Sequence, residues 1–193
     1  NIQIHSVDYS SNSFYVYHQV YDIDGNPIEG AYVDINADGQ ITDADKYHFQ
    51  KPAPDFFMGF SSMFEYNNFS FAFSGRINLG NYVYNNVLSG STYSGLYHPS
   101  GYLNNITSDA ANLGFQNRQS YSDYFVTNAS FMRMDNITLG YDFEKVFKGK
   151  GSFKLSATVQ NAFVITNYEG LDPEVQNGID NNIFPRPRTY VLG

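Results

Sequence analysis

Asn136-Ile137-Thr138-Leu139-Gly140-Tyr141-Asp142-Phe143, followed after a short basic turn by Ser152-Phe153-Lys154-Leu155-Ser156-Ala157-Thr158-Val159-Gln160, is the stretch that decides the fold. Ile137, Leu139, Tyr141 and Phe143 share one parity; Asn136, Thr138, Gly140 and Asp142 share the other. In the second run Phe153, Leu155, Ala157, Val159, Phe163 and Ile165 oppose Ser152, Lys154, Ser156, Thr158 and Gln160. A period of two is a strand signal. The spacing predicts two strands of about 14 residues within 130–165, against about five or six for an ordinary globular strand. Long strands, apolar on one side and polar on the other, suit a chain that has lipid on one face and water on the other.

The pattern recurs upstream. Phe56, Met58, Phe60, Phe64 and Tyr66 alternate with Gly59, Ser61 and Glu65. After Asn67-Asn68, Phe69, Phe71, Phe73, Ile77 and Leu79 alternate with Ser70, Ser74, Arg76 and Asn78. This predicts a hairpin over 56–79, with Asn-Asn suited to a type I′ turn because Asn tolerates positive φ. Turns at Asn67-Asn68 and near Lys148-Gly149-Lys150-Gly151 are short, whereas the polar stretches 80–129 and 166–187 are long. Outer-membrane barrels show this asymmetry, with short periplasmic turns and long outer loops.

Composition agrees. The 193 residues include 17 Tyr and 17 Phe, a density suited to aromatic girdles. The net charge of −8 argues against a nucleic-acid partner, which needs a basic surface. The absence of Cys removes disulfides and thiolate sites. No run of roughly 18 apolar residues marks a membrane helix. Asn1-Ile2-Gln3-Ile4 is neither an initiator Met nor a signal sequence, and the chain reads as a piece of something longer.

The first 55 residues are less regular. Phe14 to Asp22 and Gly30 to Ile35 read as a hairpin about the Asp24-Gly25-Asn26-Pro27 turn, with aromatics on both faces. Asp34, Asn36, Asp38, Gln40 and Asp45 then stand at positions one, three, five, seven and twelve of a calcium-type loop, with Gly39 at the sharp turn. Hard oxygen donors at every second position suit a structural Ca²⁺. The same residues equally suit an Asx-bonded turn, and the flanks are strand and loop rather than paired helices. His5, His18, His48 and His98 are scattered, and no nucleophile motif accompanies them. The chain is read as no enzyme, with no organic cofactor.

Several motifs occur in order: Phe14-Tyr15-Val16-Tyr17; Gly30-Ala31-Tyr32-Val33-Asp34 into Asp38-Gly39; Asp43-Ala44-Asp45-Lys46-Tyr47; Pro54-Asp55-Phe56; Gly80-Asn81-Tyr82-Val83-Tyr84-Asn85; Ser122-Asp123-Tyr124-Phe125-Val126. The most specific are Asn128 to Tyr141, containing Arg133-Met134-Asp135-Asn136; Gln160-Asn161 with Gly170-Leu171-Asp172-Pro173-Glu174; and Pro185-Arg186-Pro187-Arg188-Thr189-Tyr190. With them the chain resembles the C-terminal barrel portion of a SusC/RagA-type TonB-linked outer-membrane transporter. The resemblance implies an all-β fold, an antiparallel transmembrane segment from the C-terminal strands of a barrel of about 22 strands. It also implies import of an oligosaccharide or a peptide, a SusD-like surface lipoprotein over the outer mouth, and TonB acting through the part of the parent chain outside this sequence. The domain reading is then an extracellular loop and hairpin over 1–55, a membrane hairpin over 56–79, an extracellular loop over 80–129, a second membrane hairpin over 130–165, an extracellular loop over 166–187 and the start of a last strand at 188–193. A secreted soluble β-sandwich that binds carbohydrate or acts as an adhesin, with a Ca²⁺ loop, is the alternative.

Overall fold

The structure, a computed structural model, describes residues 1–149 and 151–193. The expected turn at 148–151 includes Lys150, which lies outside the described residues. In chain order the elements are β1 (Gln3–Ile4), β2 (Ser13–Tyr17), β3 (Gln19–Tyr21), β4 (Pro27–Tyr32), β5 (Lys46–His48), β6 (Phe56–Tyr66), β7 (Phe69–Leu79), β8 (Tyr82–Asn85), α1 (Asn86–Gly90), α2 (Ser108–Leu113), β9 (Val126–Asn128), β10 (Phe131–Lys145), α3 (Val146–Gly149), β11 (Gly151–Thr166), β12 (Ile179–Asp180) and β13 (Thr189–Leu192). Short 3₁₀ turns lie between them. The chain divides into two units, one of residues 1–53, 81–128 and 174–183, the other of 54–80, 129–173 and 184–193.

The second unit is built on a five-stranded sheet in the order β13-β11-β10-β7-β6, with every neighbouring pair antiparallel. Its two hairpins match the expected 56–79 and 130–165 closely. Directly paired residues share a face, so the register reads out both sides. Phe71, Leu139, Ala157 and Leu192 form one row, and Phe73, Ile137, Val159 and Tyr190 the next. Ala72, Thr138, Thr158 and Val191 form a row of the opposite face, and Ser61, Ser74, Asn136 and Gln160 another. The apolar and polar sets therefore stand on opposite sides. Phe57 and Met63 break the pattern on β6, falling with Asn78 and Ala72 on the polar side.

The two central strands bulge. Between the rows Phe73/Ile137/Val159 and Gly75/Met134/Phe163, each strand in turn takes one more residue than the last. The extra residues lie at Asp135 on β10 and at Asn161-Ala162 on β11. Asn161 holds φ at 51°, a left-handed conformation that Asn adopts more readily than most residues. The β10 bulge inverts parity. Met132 and Met134 join the apolar face, and Arg133 passes to the polar one.

The two-residue turn of the first hairpin is not type I′. Only Asn67 has positive φ, at 52°, whereas type I′ needs it at both central residues. Asn68 instead extends its amide to the carbonyl of Asp142 on β10, 2.5 Å away.

The first unit has its own core of Phe14, Val16, Tyr84, Phe125 and Val126. Phe14 and Val16 are wholly buried, and β2 pairs with β1 and β5. That pairing breaks the hairpin expected across 14–35. The chain interrupts at His18, and the observed hairpin is β3 with β4, closed by Asp22, whose carboxylate accepts from the N–H groups of Asp24 and Asn26. Residues 80–129, expected as an irregular loop, instead supply β8, α1, α2 and β9, and with them Tyr84, Phe125 and Val126 of the core. Each element is too short to show a period between its flanking Asn, Ser and Gly residues.

One contact in the sheet leaves no room for a side chain. A Cβ on Gly75 would lie 2.5 Å from the Phe60 ring and 2.6 Å from the Arg133 carbonyl oxygen. Gly75→Val is expected to destabilise the sheet by about 1–3 kcal/mol, since the carbonyl is backbone and cannot swing aside. Gly59→Val, where a Cβ meets open space, is the control. Denaturant midpoints of the two variants check the difference.

Candidate functional site

The polar face of the sheet and the ends of its strands carry most of the organised polar chemistry of the second unit. Thr138 and Thr158 hydroxyls are 2.9 Å apart, and Asn136 donates to Ser74 at 3.2 Å. Arg76 reaches Asp135, the bulge residue, at 3.2 Å, and Lys154 lies 3.7 Å from Asp142. Opposite charges are thus interspersed among small hydroxyl and amide groups. Such a surface suits a wet conduit.

At the long-loop end of β10 sits a buried ion cluster. Arg133 is 2% exposed. Its guanidinium donates to Asn161 Oδ1 at 2.6 Å and to Asp172 Oδ1 at 2.5 Å. The other oxygen of Asp172 takes Nε of Arg186 at 3.0 Å. Asn161 completes the ring by donating its amide to the carbonyls of Arg186 and Pro187. The two bulges make this possible, one carrying Arg133 to the polar side and the other turning Asn161 toward it. The cluster ties Asp172 and the stretch 186–187 to the strands β10 and β11. Sequence periodicity missed it, because simple alternation puts Arg133 with Ile137. The motif residues Arg133, Asn161, Asp172 and Arg186 were the available signal.

In the first unit the expected metal-type loop is arranged as follows. Asp34 Oδ2 accepts from Gly39 N at 2.7 Å, Asn36 Oδ1 from Asp38 N at 3.0 Å, and Asp38 Oδ1 from Gln40 N at 2.8 Å. Asp45 is fully buried and closes the loop from behind. Its carboxylate accepts from the N–H groups of Thr42 at 2.8 Å, Ile35 at 3.0 Å and Asn36 at 3.4 Å. These bonds, that from Thr42 foremost, hold the Asp45 carboxyl below the usual carboxylate range. Its contribution is therefore present at neutral pH and lost as the pH falls below the ordinary carboxylate pKa. Asp34 Oδ1 is buried beside the Asp45 carboxylate, with no N–H or O–H donor to it among the described residues. Among the described residues no three carboxylate or imidazole side chains close into a metal-ligating group.

A second buried carboxylate, Asp123, organises the unit around the loop. It accepts from Tyr47 at 2.7 Å and from Gln19 N at 3.0 Å, and it lies 2.7 Å from His18 Nδ1. Burial and the bond to Asp123 push the Tyr47 hydroxyl well above its ordinary pKa. His48 pairs with the buried Ser13 at 2.8 Å, and His5 with Ser11 at 3.1 Å. Tyr9 stacks on His48 at 3.5 Å between ring centroids. Among the described residues no carboxylate orients either of those rings, so neither pair forms a hydrolytic triad.

No protein-family model matches the chain. It is 49% identical over 201 residues to the TonB-dependent receptor SusC of Bacteroides thetaiotaomicron, a match covering the whole chain and 20% of that protein. It is 32% identical over 164 residues to the TonB-dependent receptor P39 of Formosa agariphila, covering 72% of the chain and 16% of the relative. The chain thus spans about a fifth of the length of the curated relatives it matches. Among solved structures, the RagAB peptide importer superposes with a TM-score of 0.66 in its closed-closed state and 0.67 in its open-open state. Each match is 20% identical in sequence and covers 94% of this chain and 22% of the other. The fold is that of part of such a transporter chain. Among the described residues no helix is long and apolar enough to cross a membrane, which leaves crossing by strands open.

The cluster gives a direct test. Arg133 and Asp172 are 3% and 7% exposed at their side chains. Removing one member of a buried pair leaves the other charge desolvated, at a cost of about 3–5 kcal/mol. Asp172→Ala is expected to destabilise the second unit by that order. Arg186→Ala, whose side chain is 47% exposed, is expected to cost much less. Urea unfolding of the parent receptor in lipid checks the ranking.

Proposed function

Because the chain belongs to the SusC/RagA type of TonB-dependent receptors, we propose that it forms part of the wall of an outer-membrane importer. The observation that carries this reading is the register. Three adjacent strands, β7, β10 and β11, place Phe71, Phe73, Ile137, Leu139, Leu155 and Val159 on one face and Ser74, Asn136, Thr138, Ser156 and Thr158 on the other. The apolar face meets lipid, and the polar face lines the conduit. Both hairpins turn on the periplasmic side, and the ends near Arg133 and Leu79 lie outside. Cargo passes the hydroxyl and amide rows without covalent change, driven by TonB through the remainder of the receptor. A SusD-like lipoprotein covers the outer mouth, and the cargo is an oligosaccharide or a peptide. RagAB, named as a peptide importer, supports the second class, and identity to SusC supports a closer relation to that receptor than to RagA. The sandwich alternative would cover the apolar face with a second sheet, whereas Phe71, Leu139 and Leu155 stand exposed on it.

The face assignment is tested by charge. Leu139→Arg, aimed at hydrocarbon, is expected to destabilise the receptor in bilayers by about 2–4 kcal/mol if its row lies at mid-membrane. Thr138→Arg, one residue away, is expected to leave stability nearly unchanged and alter uptake. Unfolding in lipid vesicles with a parallel uptake assay checks both, and equal destabilisation would remove the lipid/lumen assignment.

The loop of Asp34, Asn36, Asp38, Gln40 and Asp45 supports a second, structural reading, a bound Ca²⁺. The loop's backbone N–H groups occupy one oxygen each of Asp34, Asn36 and Asp38, and the Asn36 amide donates to the other oxygen of Asp38 at 3.0 Å, so a cation would draw on their remaining lone pairs. Asp34 Oδ1 is the buried oxygen that lacks a donor. Tb³⁺ bound there would be sensitised by Tyr17, whose hydroxyl is 3.2 Å from Asp43 of the same loop. Tyrosine-excited terbium emission, displaced by Ca²⁺ and lost in Asp34→Asn, is the expected result. Emission unchanged by Asp34→Asn would assign the residues to the Asx-bonded turn alone.

A further inference from the structure

We propose that a cleft of the first unit is a subsite for a neutral saccharide, an inference that rests on the importer reading above and narrows its cargo to the oligosaccharide class. The cleft has a volume of about 660 Å³ and is lined by Glu29, Tyr32, Gln116, Asn117, Arg118 and Ser120. That volume falls within the roughly 300–1,000 Å³ usual for small-ligand sites. One wall is β4, which carries Glu29 and Tyr32, and the other is the stretch 116–120. Gln119, 4% exposed, joins them. Its Oε1 accepts from Gly30 N at 2.7 Å and from the Tyr32 hydroxyl at 3.4 Å, and its Nε2 donates to the Asn117 carbonyl at 2.8 Å. Glu29 makes a second join. Its Oε2 accepts from Gln116 N at 3.0 Å, and its Oε1 from the backbone and side-chain N–H groups of Asn117 at 2.8 and 2.9 Å. The walls are therefore set before a ligand arrives, which lowers the ordering cost of binding.

The lining selects its ligand by chemistry. Most small-ligand sites are lined mainly by apolar side chains. Among the described residues of this lining none is aliphatic, and Tyr32 supplies the one aromatic ring. Tyr32 stacks on Tyr17 at 4.9 Å between ring centroids, which holds it in place. The remaining side chains carry amides, a hydroxyl, one carboxylate and one guanidinium. Amides and hydroxyls both donate and accept, as every hydroxyl of a sugar does. The two charges are of opposite sign, and each is already bonded within the protein. The donors to Glu29, Gln116 N foremost, hold its carboxyl below the usual carboxylate range. Arg118 donates from Nη2 to Asn86 Oδ1 at 2.8 Å. An anionic ligand meets Glu29 and a cationic one meets Arg118, so the cleft favours neither. A peptide brings side chains that need apolar contact, and the lining offers them a single ring. A sugar presents hydroxyls around its rim to the amides and an apolar C–H face to Tyr32.

The test uses the full receptor in detergent micelles and saturation-transfer NMR against pools of neutral oligosaccharides (of glucose, galactose, mannose and xylose), of uronate oligosaccharides and of short peptides. Transfer to members of the neutral pool is expected. Arg118→Ala and Asn117→Ala, both at exposed residues, are each expected to raise the Kd of the best neutral ligand about tenfold or more. Arg118→Lys, which keeps the charge and loses the fork, is expected to fall between. Neutral oligosaccharides bound equally by the wild type and both alanine variants, or not bound at all, would overturn this inference alone and leave the wall assignment standing. Transfer confined to peptides or uronates, and abolished by the same substitutions, would give the cleft to those ligands and overturn it as well. Failure of the wild-type receptor to insert into lipid vesicles, read separately from binding, would overturn the importer reading and this inference with it.

Discussion

A strand that crosses hydrocarbon must give each backbone N–H and C=O to a neighbouring strand, because no water is there to take them. That constraint explains the most regular part of this chain. β6, β7, β10 and β11 pair along almost their whole lengths, and the side-chain pattern follows from the pairing. Once register is set by the two hairpins, every residue is committed to one face or the other. A slip by one residue would put Phe71, Leu139 and Leu155 on the polar face. The described sheet is open, with β6 and β13 at its edges, and the same constraint requires further strands of the parent receptor beside them.

The bulges are where that regularity yields to local chemistry. An extra residue at Asp135 carries Arg133 to the polar side, and the left-handed Asn161 meets it. The pair then holds Asp172, which holds Arg186. A burial cost that would be prohibitive for a lone guanidinium is offset by paired, well-oriented acceptors. The result is a stretch around Asp172 and Arg186 fastened to two strands whose pairing is itself interrupted at that height.

The strands were legible because amphipathic alternation over ten or more residues has few other physical causes. Residues 56–79 and 130–165 came out nearly as read, as did the opposition of Ile137 and Leu139 to Asn136 and Thr138. What failed was everything set by contacts distant in sequence. Arg133 changes face through a bulge that alternation cannot reveal. Phe14 and Val16 read as one arm of a local hairpin, yet their burial is decided by β5 and by Tyr84 and Phe125, far along the chain. Residues 80–129 carry short elements stabilised by that same core, so their sequence shows no period. The Asn67-Asn68 turn was placed correctly and typed wrongly, since Asn tolerates positive φ without requiring it. The acidic loop kept its spacing, and its carboxylates are engaged mainly by their own backbone. The identity of the family was carried by ordered motifs rather than by any single pattern.

The account turns on which way the residues of β10 face in a bilayer. The chain has no Cys, so single cysteines from Asn136 to Tyr141 can be spin-labelled one at a time in a receptor whose cysteines elsewhere, if any, are replaced by Ser. Collision with dissolved oxygen, enriched in lipid, and with a water-soluble nickel chelate should then alternate at every residue. Ile137, Leu139 and Tyr141 should be high in oxygen, and Asn136, Thr138 and Gly140 high in nickel. A profile with the opposite phase, or with no alternation, would contradict the assignment of this sheet to a membrane wall.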